Sequence, residues 1–372
     1  VLPYAWVFLA TAGTVFLVTP LVRRLACRVG AIVQPSGRTV HPKPIPTLGG
    51  LAMVAGVLVG VLVAYRIPQF HNLFQLSGVQ GMVIAGLVIA AVGVVDDLRA
   101  ISAPAKVAGQ VLAAGILVLN GFLLLFFYLP RLGTVSLGKD LAVPLTIAWV
   151  LVVVNAVNLI DGLDGLAAGI VVIAAGAFFV YAYLTPPPLG EPASTAPLIS
   201  AMAAGAAAGF LPHNFNPARI IMGDTGSMFL GLMLAAATIS GVGQTSQATG
   251  HAFAAFAIPV LIPVLVLALP LMDVALAVIR RLRRHRKWYA PDKEHIHHQL
   301  MEIGHSQRQT VLLMYLWSAV VAGATLAIAY ARNRATIAVV IGFAALVIAV
   351  TVIPRVIRAA RKSQAETRAE GA

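Results

Sequence analysis

Residues 144–169 read "PLTIAWVLVVVNAVNLIDGLDGLAAG", and this stretch decides what kind of chain the sequence encodes. The first eleven residues carry no ionisable side chain. The next ten place Asn155, Asn158, Asp161 and Asp164 at three-residue intervals. A three-residue step along an α-helix shifts a side chain by only ~60° around the axis, so Asn155, Asn158 and Asp161 share one stripe at a helix end. Gly162 and Gly165 then break the helix, and Asp164 is expected to cap the next one. An apolar helix that ends in carboxamides and carboxylates belongs in a bilayer, with its polar end at one membrane face.

Composition extends this reading to the whole chain. Of 372 residues, 59% are hydrophobic and 10% charged, where a soluble domain carries roughly 25% charged residues. The mean hydropathy is +0.90. The expected fold is therefore an all-α polytopic membrane protein. Apolar spans fall near 4–21, 47–65, 79–95, 105–128, 141–159, 165–184, 196–211, 218–240, 252–279, 310–331 and 336–353, which makes eleven transmembrane helices. The first span lacks a small-residue cleavage site and is read as a retained helix. A membrane domain over 1–354 and a basic, mobile cytoplasmic tail over 355–372 complete the expected organisation.

Lys and Arg outnumber Asp and Glu by 26 to 13. With the N-terminus outside, the inner loops hold 21 of the cations. The outer side holds Arg66, Arg131, Lys139, Arg332 and Arg334. That asymmetry predicts an external N-terminus and a cytoplasmic C-terminus. The basic excess follows from topology and does not point to nucleic acid. A single cysteine, Cys27, excludes an intramolecular disulfide and a cysteine-based metal cluster. No internal repeat is visible, which weighs against a transporter built from duplicated halves.

Eleven of the thirteen acids fall in the inner half of the chain's expected topology or beyond it. An acid in a membrane helix costs ~2.5–3.5 kcal/mol at mid-membrane on insertion scales, so each is a functional candidate. "VVDDLRAISAPAK" (94–106) ends one span with Asp96 and Asp97 and opens the next with Lys106. In "MGDTGSM" (222–228), Asp224 offers oxygen to a hard cation such as Mg2+, and the helix N-terminus is expected to be open to phosphate. The loop 280–309 adds a basic run and the imidazoles of His295, His297 and His298, suited to an anion or to proton handling rather than to zinc. Carboxylates, a lysine and histidines at one membrane face suit phosphoryl transfer from a soluble donor to a lipid.

Five stretches together resemble a known family: "RTVHPKPIPTLGG", "GVVDDLRAISAPAK", "NAVNLIDGLDGLAAG", "NFNPARIIMGDTGSMFLG" and "DKEHIHHQLMEIGHSQRQTV". In this order they are similar to the polyprenyl-phosphate N-acetylhexosamine-1-phosphate transferase superfamily (glycosyltransferase family 4), in its WecA/TagO-like branch. The likeness runs from about residue 20 to 330. "HIHH" in place of three consecutive histidines points away from a muramyl-pentapeptide donor.

The resemblance implies UDP-N-acetylglucosamine as donor and undecaprenyl or decaprenyl phosphate as acceptor, with UMP released. The product would be polyprenyl-diphosphate-GlcNAc, at the first membrane step of lipopolysaccharide, teichoic acid or other envelope glycan synthesis. It implies a bacterial inner-membrane enzyme, a cytoplasmic-face site, Mg2+ or Mn2+ as cofactor, and a homodimer. Carried over by position, it makes Asp224 the metal ligand and Asp96 with Asp97 the pair that positions or deprotonates the lipid phosphate. Lys106, Arg38, His41 and Lys43 become phosphate contacts, and Asn158, Asp161 and Asn214 line the centre with Asp164 in support. His295, His297 and His298 hold the donor. Three positions depart from the family pattern, with Val33 and Ala100 where acids are usual and Thr39 where a lysine is usual. Another UDP-N-acetylhexosamine donor remains an alternative. So does a lipid-linked sugar or ion-coupled transporter, for which Asp273 after Pro270 is the main support.

Overall fold

The computed structural model describes residues 1–35, 44–75, 77–129, 133–185, 194–242 and 306–330, with short helical pieces at 335, 338–343 and 345–347. The chain is mostly helical. Among the described residues the helices are α1 (Leu2–Val29), α2 (Gly50–Arg66), the short α3 (His71–Gln75), α4 (Ser77–Leu98) and α5 (Ala103–Leu119). They continue with α6 (Lys139–Ile160), α7 (Leu166–Leu184), α8 (Ala196–Asn214), α9 (Gly223–Val242) and α10 (Gln307–Tyr330). Two small antiparallel ladders accompany them: β1 (Ile32–Val33) with β2 (Ile45–Pro46), and β3 (Phe126–Leu129) with β4 (Gly133–Ser136).

Helix α9 is the axis of the fold. It packs on α2, α4, α6 and α8, and nearly all of its side chains are buried. Close approach makes this possible. A Cβ at Gly231 would sit 2.7 Å from Val154 Cα on α6, and one at Gly93 of α4 would run into the Thr225 backbone. Helix α8, rich in alanine and glycine, is similarly enclosed by α1 and α7. Small residues let helices approach where the bilayer gives no hydrophobic drive between them. Exposed apolar side chains, such as Trp6 and Leu17 on α1 and Val152 and Leu159 on α6, cover the outside as a bilayer would require.

Among the described residues five helices are long and apolar enough to cross a membrane: Leu2–Val29, Ser77–Leu98, Lys139–Ile160, Leu166–Leu184 and Gln307–Ala327. A sixth is counted if α2 and the 68–75 segment, bent by 99°, form one broken span. This supports a polytopic helical membrane protein. The expected spans at 47–65, 196–211 and 218–240 correspond to α2, α8 and α9. Of these, α8 and α9 touch mainly protein and so need fewer large apolar residues. The expected span at 252–279, with Asp273, lies outside the described residues.

One expected span is corrected. The apolar run 105–128 does not form a single helix. Helix α5 stops at Leu119, where Asn120 takes a non-helical conformation and Gly121 adopts φ 91°. The following aromatic and β-branched residues pair as β3 and β4. Hydropathy alone registers both as greasy. Positive φ at glycine and β-favouring side chains separate them.

Candidate active site

The segment before α9 is held by the start of α2. Gly49 N–H donates to Ile221 O at 3.1 Å, Gly50 N–H to Met222 O at 3.0 Å, and Ile221 N–H to Pro46 O at 3.0 Å. Gly223 then turns with φ 69°, and a Cβ there would collide with the Asp97 carboxylate and the Thr47 hydroxyl. This turn aims the first N–H groups of α9 at the end of α4.

Asp97 receives them. Its Oδ1 accepts from Asp224 N–H at 2.9 Å. Its Oδ2 accepts from Thr225 N–H at 3.1 Å and from the Thr225 hydroxyl at 2.6 Å. The α9 N-terminus, expected to be free for phosphate, is thus capped by a carboxylate from another helix. A helix start presents unpaired N–H groups and partial positive charge, which an acid one helix away satisfies as well as a ligand can.

Asp96, adjacent in sequence, points elsewhere. Its Oδ1 accepts from Ile101 N–H at 2.9 Å, closing the α4–α5 turn, and its Oδ2 lies 2.7 Å from Lys106 Nζ. Lys106 also pairs with Asp224 Oδ2. It stands on the first turn of α5, which Ser102 caps through its hydroxyl. The other Asp224 oxygen accepts from Asn158 Nδ2 at 2.7 Å, and the same amide donates to Ser227 Oγ at 2.8 Å. Residues from α4, α5, α6 and α9 therefore meet around Asp224.

Asp161 follows the last residue of α6 and makes no side-chain hydrogen bond or ion pair among the described residues. Burial, together with the charges of Asp224, Asp97 and Asp164, pushes its carboxyl well above the ordinary aspartate range. Asp164 does not cap α7 as expected. That position is Gly165, with φ 78°. The Asp164 Oδ2 instead accepts from Asn216 Nδ2 at 2.9 Å and Ala218 N–H at 3.0 Å, fixing the loop that leads to α9. Asn214 is 1% exposed. Its oxygen accepts from Gly165 N–H and its amide donates to Ile220 O, both at 3.0 Å. It therefore frames the centre rather than lining it.

Asn216, which the sequence did not single out, joins three elements. Besides Asp164 it donates to Gln307 Oε1 at 2.7 Å, and its backbone oxygen accepts from Arg308 Nε at 2.8 Å. The Tyr315 hydroxyl on α10 donates to Gly165 O. Thr225 and Ser227 were also missed, although both follow Asp224 within one helical turn. Arg38, His41, Lys43, His295, His297 and His298 lie outside the described residues.

The donor set fits a hard divalent cation. Carboxylate oxygens dominate, Asp161 is unpaired among the described residues, and burial followed by neighbouring negative charge raises its carboxyl, a charge that a bound cation would offset. No three acidic or imidazole side chains among the described residues converge into a closed metal cage.

A polytopic helical protein with carboxylates, a lysine and a carboxamide gathered where four helices meet falls in the class of membrane-embedded proteins with a polar reaction centre. Within that class the chain belongs to glycosyl transferase family 4, whose sequence pattern matches residues 79–242, from α4 to α9. It is 41% identical over 358 residues to the decaprenyl-phosphate N-acetylglucosaminephosphotransferase of Mycobacterium leprae, covering 94% of this chain and 90% of that one. It is 36% identical over 309 residues to the probable undecaprenyl-phosphate N-acetylglucosaminyl 1-phosphate transferase of Bacillus subtilis, covering 83% and 80%. The phospho-N-acetylmuramoyl-pentapeptide-transferase of Mycolicibacterium smegmatis is 31% identical over 354 residues, covering 84% and 93%. These relatives place the chain in the WecA/TagO-like branch.

Proposed function

We propose that the protein transfers N-acetylglucosamine-1-phosphate from UDP-N-acetylglucosamine to a polyprenyl phosphate, releasing UMP. The observation that carries this reading is Lys106, which bridges Asp96 of α4 and Asp224 of α9 while Asn158 holds the other Asp224 oxygen. A lysine between two carboxylates is a cation kept in place for phosphate. The relatives named for GlcNAc-phosphate transfer supply the donor and acceptor classes.

In the proposed reaction an oxygen of the lipid phosphate attacks the β-phosphorus of the donor. One P–O bond forms, the P–O bond to UMP breaks, and UMP leaves with the electron pair. Asp224 and Asp161 would hold Mg2+, which supplies neutralisation of the diphosphate charge and of the leaving UMP. Lys106 moves from its carboxylate partners towards phosphate oxygens, and Asn158 keeps Asp224 oriented. Asp97 fixes the α9 start against which the donor is positioned. Asp164, Asn214 and Asn216 hold the turn carrying Asp161.

In this reading the centre opens at the cytoplasmic face of a bacterial inner membrane. The chain crosses eleven times with its N-terminus outside and acts as a homodimer. Arg38, His41, Lys43 and the histidines of "HIHH" add donor and lipid-phosphate contacts. A panel of UDP-sugars, assayed for UMP release with polyprenyl phosphate and Mg2+, tests the donor. UDP-N-acetylglucosamine should be turned over fastest. Faster turnover of UDP-N-acetylmuramoyl-pentapeptide or another UDP-N-acetylhexosamine would overturn the donor assignment.

A further inference from the structure

Beneath the polar centre lies a second polar contact between the same helices. On α5, Gln110 is fully buried. Asn155 Nδ2 donates to its Oε1 at 2.7 Å, and Gln110 Nε2 points back to Asn155 Oδ1 at 3.4 Å. Gln110 Nε2 also meets Met228 Sδ of α9 at 3.5 Å, and Asn155 Nδ2 donates to Leu151 O at 2.8 Å.

The spacing is regular. Gln110 is four residues beyond Lys106, Asn155 three residues before Asn158, and Met228 four residues beyond Asp224. Residues three or four apart lie on one face of a helix, one turn or ~6 Å along it. Helices α5, α6 and α9 therefore each place one residue in the centre and one in a layer a turn deeper. In the upper layer Lys106 and Asn158 both bind Asp224. In the lower layer the amides of Gln110 and Asn155 bind each other.

We propose that Gln110 and Asn155 are positioning residues for phosphoryl transfer. Their reciprocal amide pair sets the register of α5 against α6, and so the place of Lys106 and Asn158 relative to Asp224. Neither touches the reacting groups. A helix-to-helix tie could have been apolar. A paired carboxamide fixes axial register, because sliding by a residue breaks both bonds of the pair and strands the fully buried Gln110 oxygen. This rests on the transferase reading for its kinetic consequence, but the geometric consequence stands by itself.

The test compares wild type with Gln110→Leu, Asn155→Leu and the exchange Gln110→Asn with Asn155→Gln, which keeps the summed side-chain length. UMP release is followed in lipid nanodiscs below the melting temperature of every variant. Each leucine variant should lose about tenfold or more in kcat, since misplacement by about 1 Å can cost up to about a hundredfold. KM for donor and acceptor should rise by much less than kcat falls, because Lys106 and Asn158 are shifted rather than removed. The exchanged pair should recover most of the loss.

A second measurement needs no turnover. The rate of Lys106 acylation by an amine-reactive anhydride, read by peptide mass spectrometry, should rise several-fold in Gln110→Leu as the lysine loosens from its carboxylates. Wild-type kcat in both leucine variants, no recovery in the exchange, or an unchanged acylation rate overturns the proposal. If wild type itself releases no UMP, the transferase reading fails, and the acylation rates alone decide on the register tie.

Discussion

Replacing Asp97 with asparagine separates two roles that the adjacent acids invite. In the structure the Asp97 carboxylate takes three hydrogen bonds from the start of α9, at 2.6–3.1 Å. Asparagine is nearly isosteric but keeps only one acceptor oxygen. It must lose either the bond from Asp224 N–H or both bonds from Thr225. Hydrogen bonds to a charged partner contribute about 1.5–3 kcal/mol each, and the carboxylate's attraction to a helix N-terminus adds about 0.3–1 kcal/mol. The expected loss is therefore about 2–4 kcal/mol, shared between stability and the placement of Asp224. If all of it reached the barrier, kcat would fall by about 30- to 1,000-fold.

The assay is UMP release as a function of Mg2+ concentration, alongside thermal unfolding in the same detergent. Asp97→Asn should lower the melting temperature, lower kcat and raise the Mg2+ concentration needed for half activation. Thr225→Val, which removes one of the three bonds, should move all three readouts the same way by less. The reasoning is refuted if Asp97→Asn loses turnover while its melting temperature and Mg2+ dependence stay as in wild type. Asp97 would then act on substrate directly.

Asp224→Asn should abolish Mg2+-dependent turnover in the same assay, because it removes the charge that Lys106 and Asn158 both organise. Gly223→Ala should fold poorly or lose activity. A left-handed conformation costs a non-glycine residue about 1–2 kcal/mol, and the added methyl meets Asp97; expression level and melting temperature report it. Asp161 binds its proton more tightly in the fold than in the unfolded chain, so metal-free protein should lose stability as pH rises through that raised pKa. Mg2+ takes the deprotonated oxygens, so its stabilising effect, about 2.7 kcal/mol at a hundred times Kd, should grow with pH. Melting temperatures measured with and without Mg2+ at pH 5.5 and 8 check the sign.

Much of this centre was legible along the chain, because membrane helices carry few polar residues and each one stands out. The three-residue spacing of Asn155, Asn158 and Asp161 marked a helix stripe, and α6 does end at Ile160 with Asn158 bonded to Asp224. What spacing could not show is which acid meets which partner. Asp96 and Asp97 look equivalent in "VVDD", yet one closes the α4–α5 turn with Lys106 and the other caps α9. Successive residues on a helix point ~100° apart, so adjacency in sequence separates them in space.

Asp164 was expected to act locally and instead bonds a loop some fifty residues away. Asn216 carries no local signal beyond preceding Pro217, because its role comes from tertiary contacts with Asp164, Gln307 and Arg308. The break after Leu119 was hidden by hydropathy, which is blind to the backbone conformation of Gly121.

The central claim is that the centre around Asp224 moves a sugar together with its phosphate. Donor labelled with 32P at the β-phosphorus of UDP-N-acetylglucosamine, incubated with purified protein, polyprenyl phosphate and Mg2+, measures this directly. The label should pass into the lipid product with unlabelled UMP released in equal amount. Label that stays in soluble UDP while the sugar becomes lipid-linked, or no transfer at all, would contradict the account.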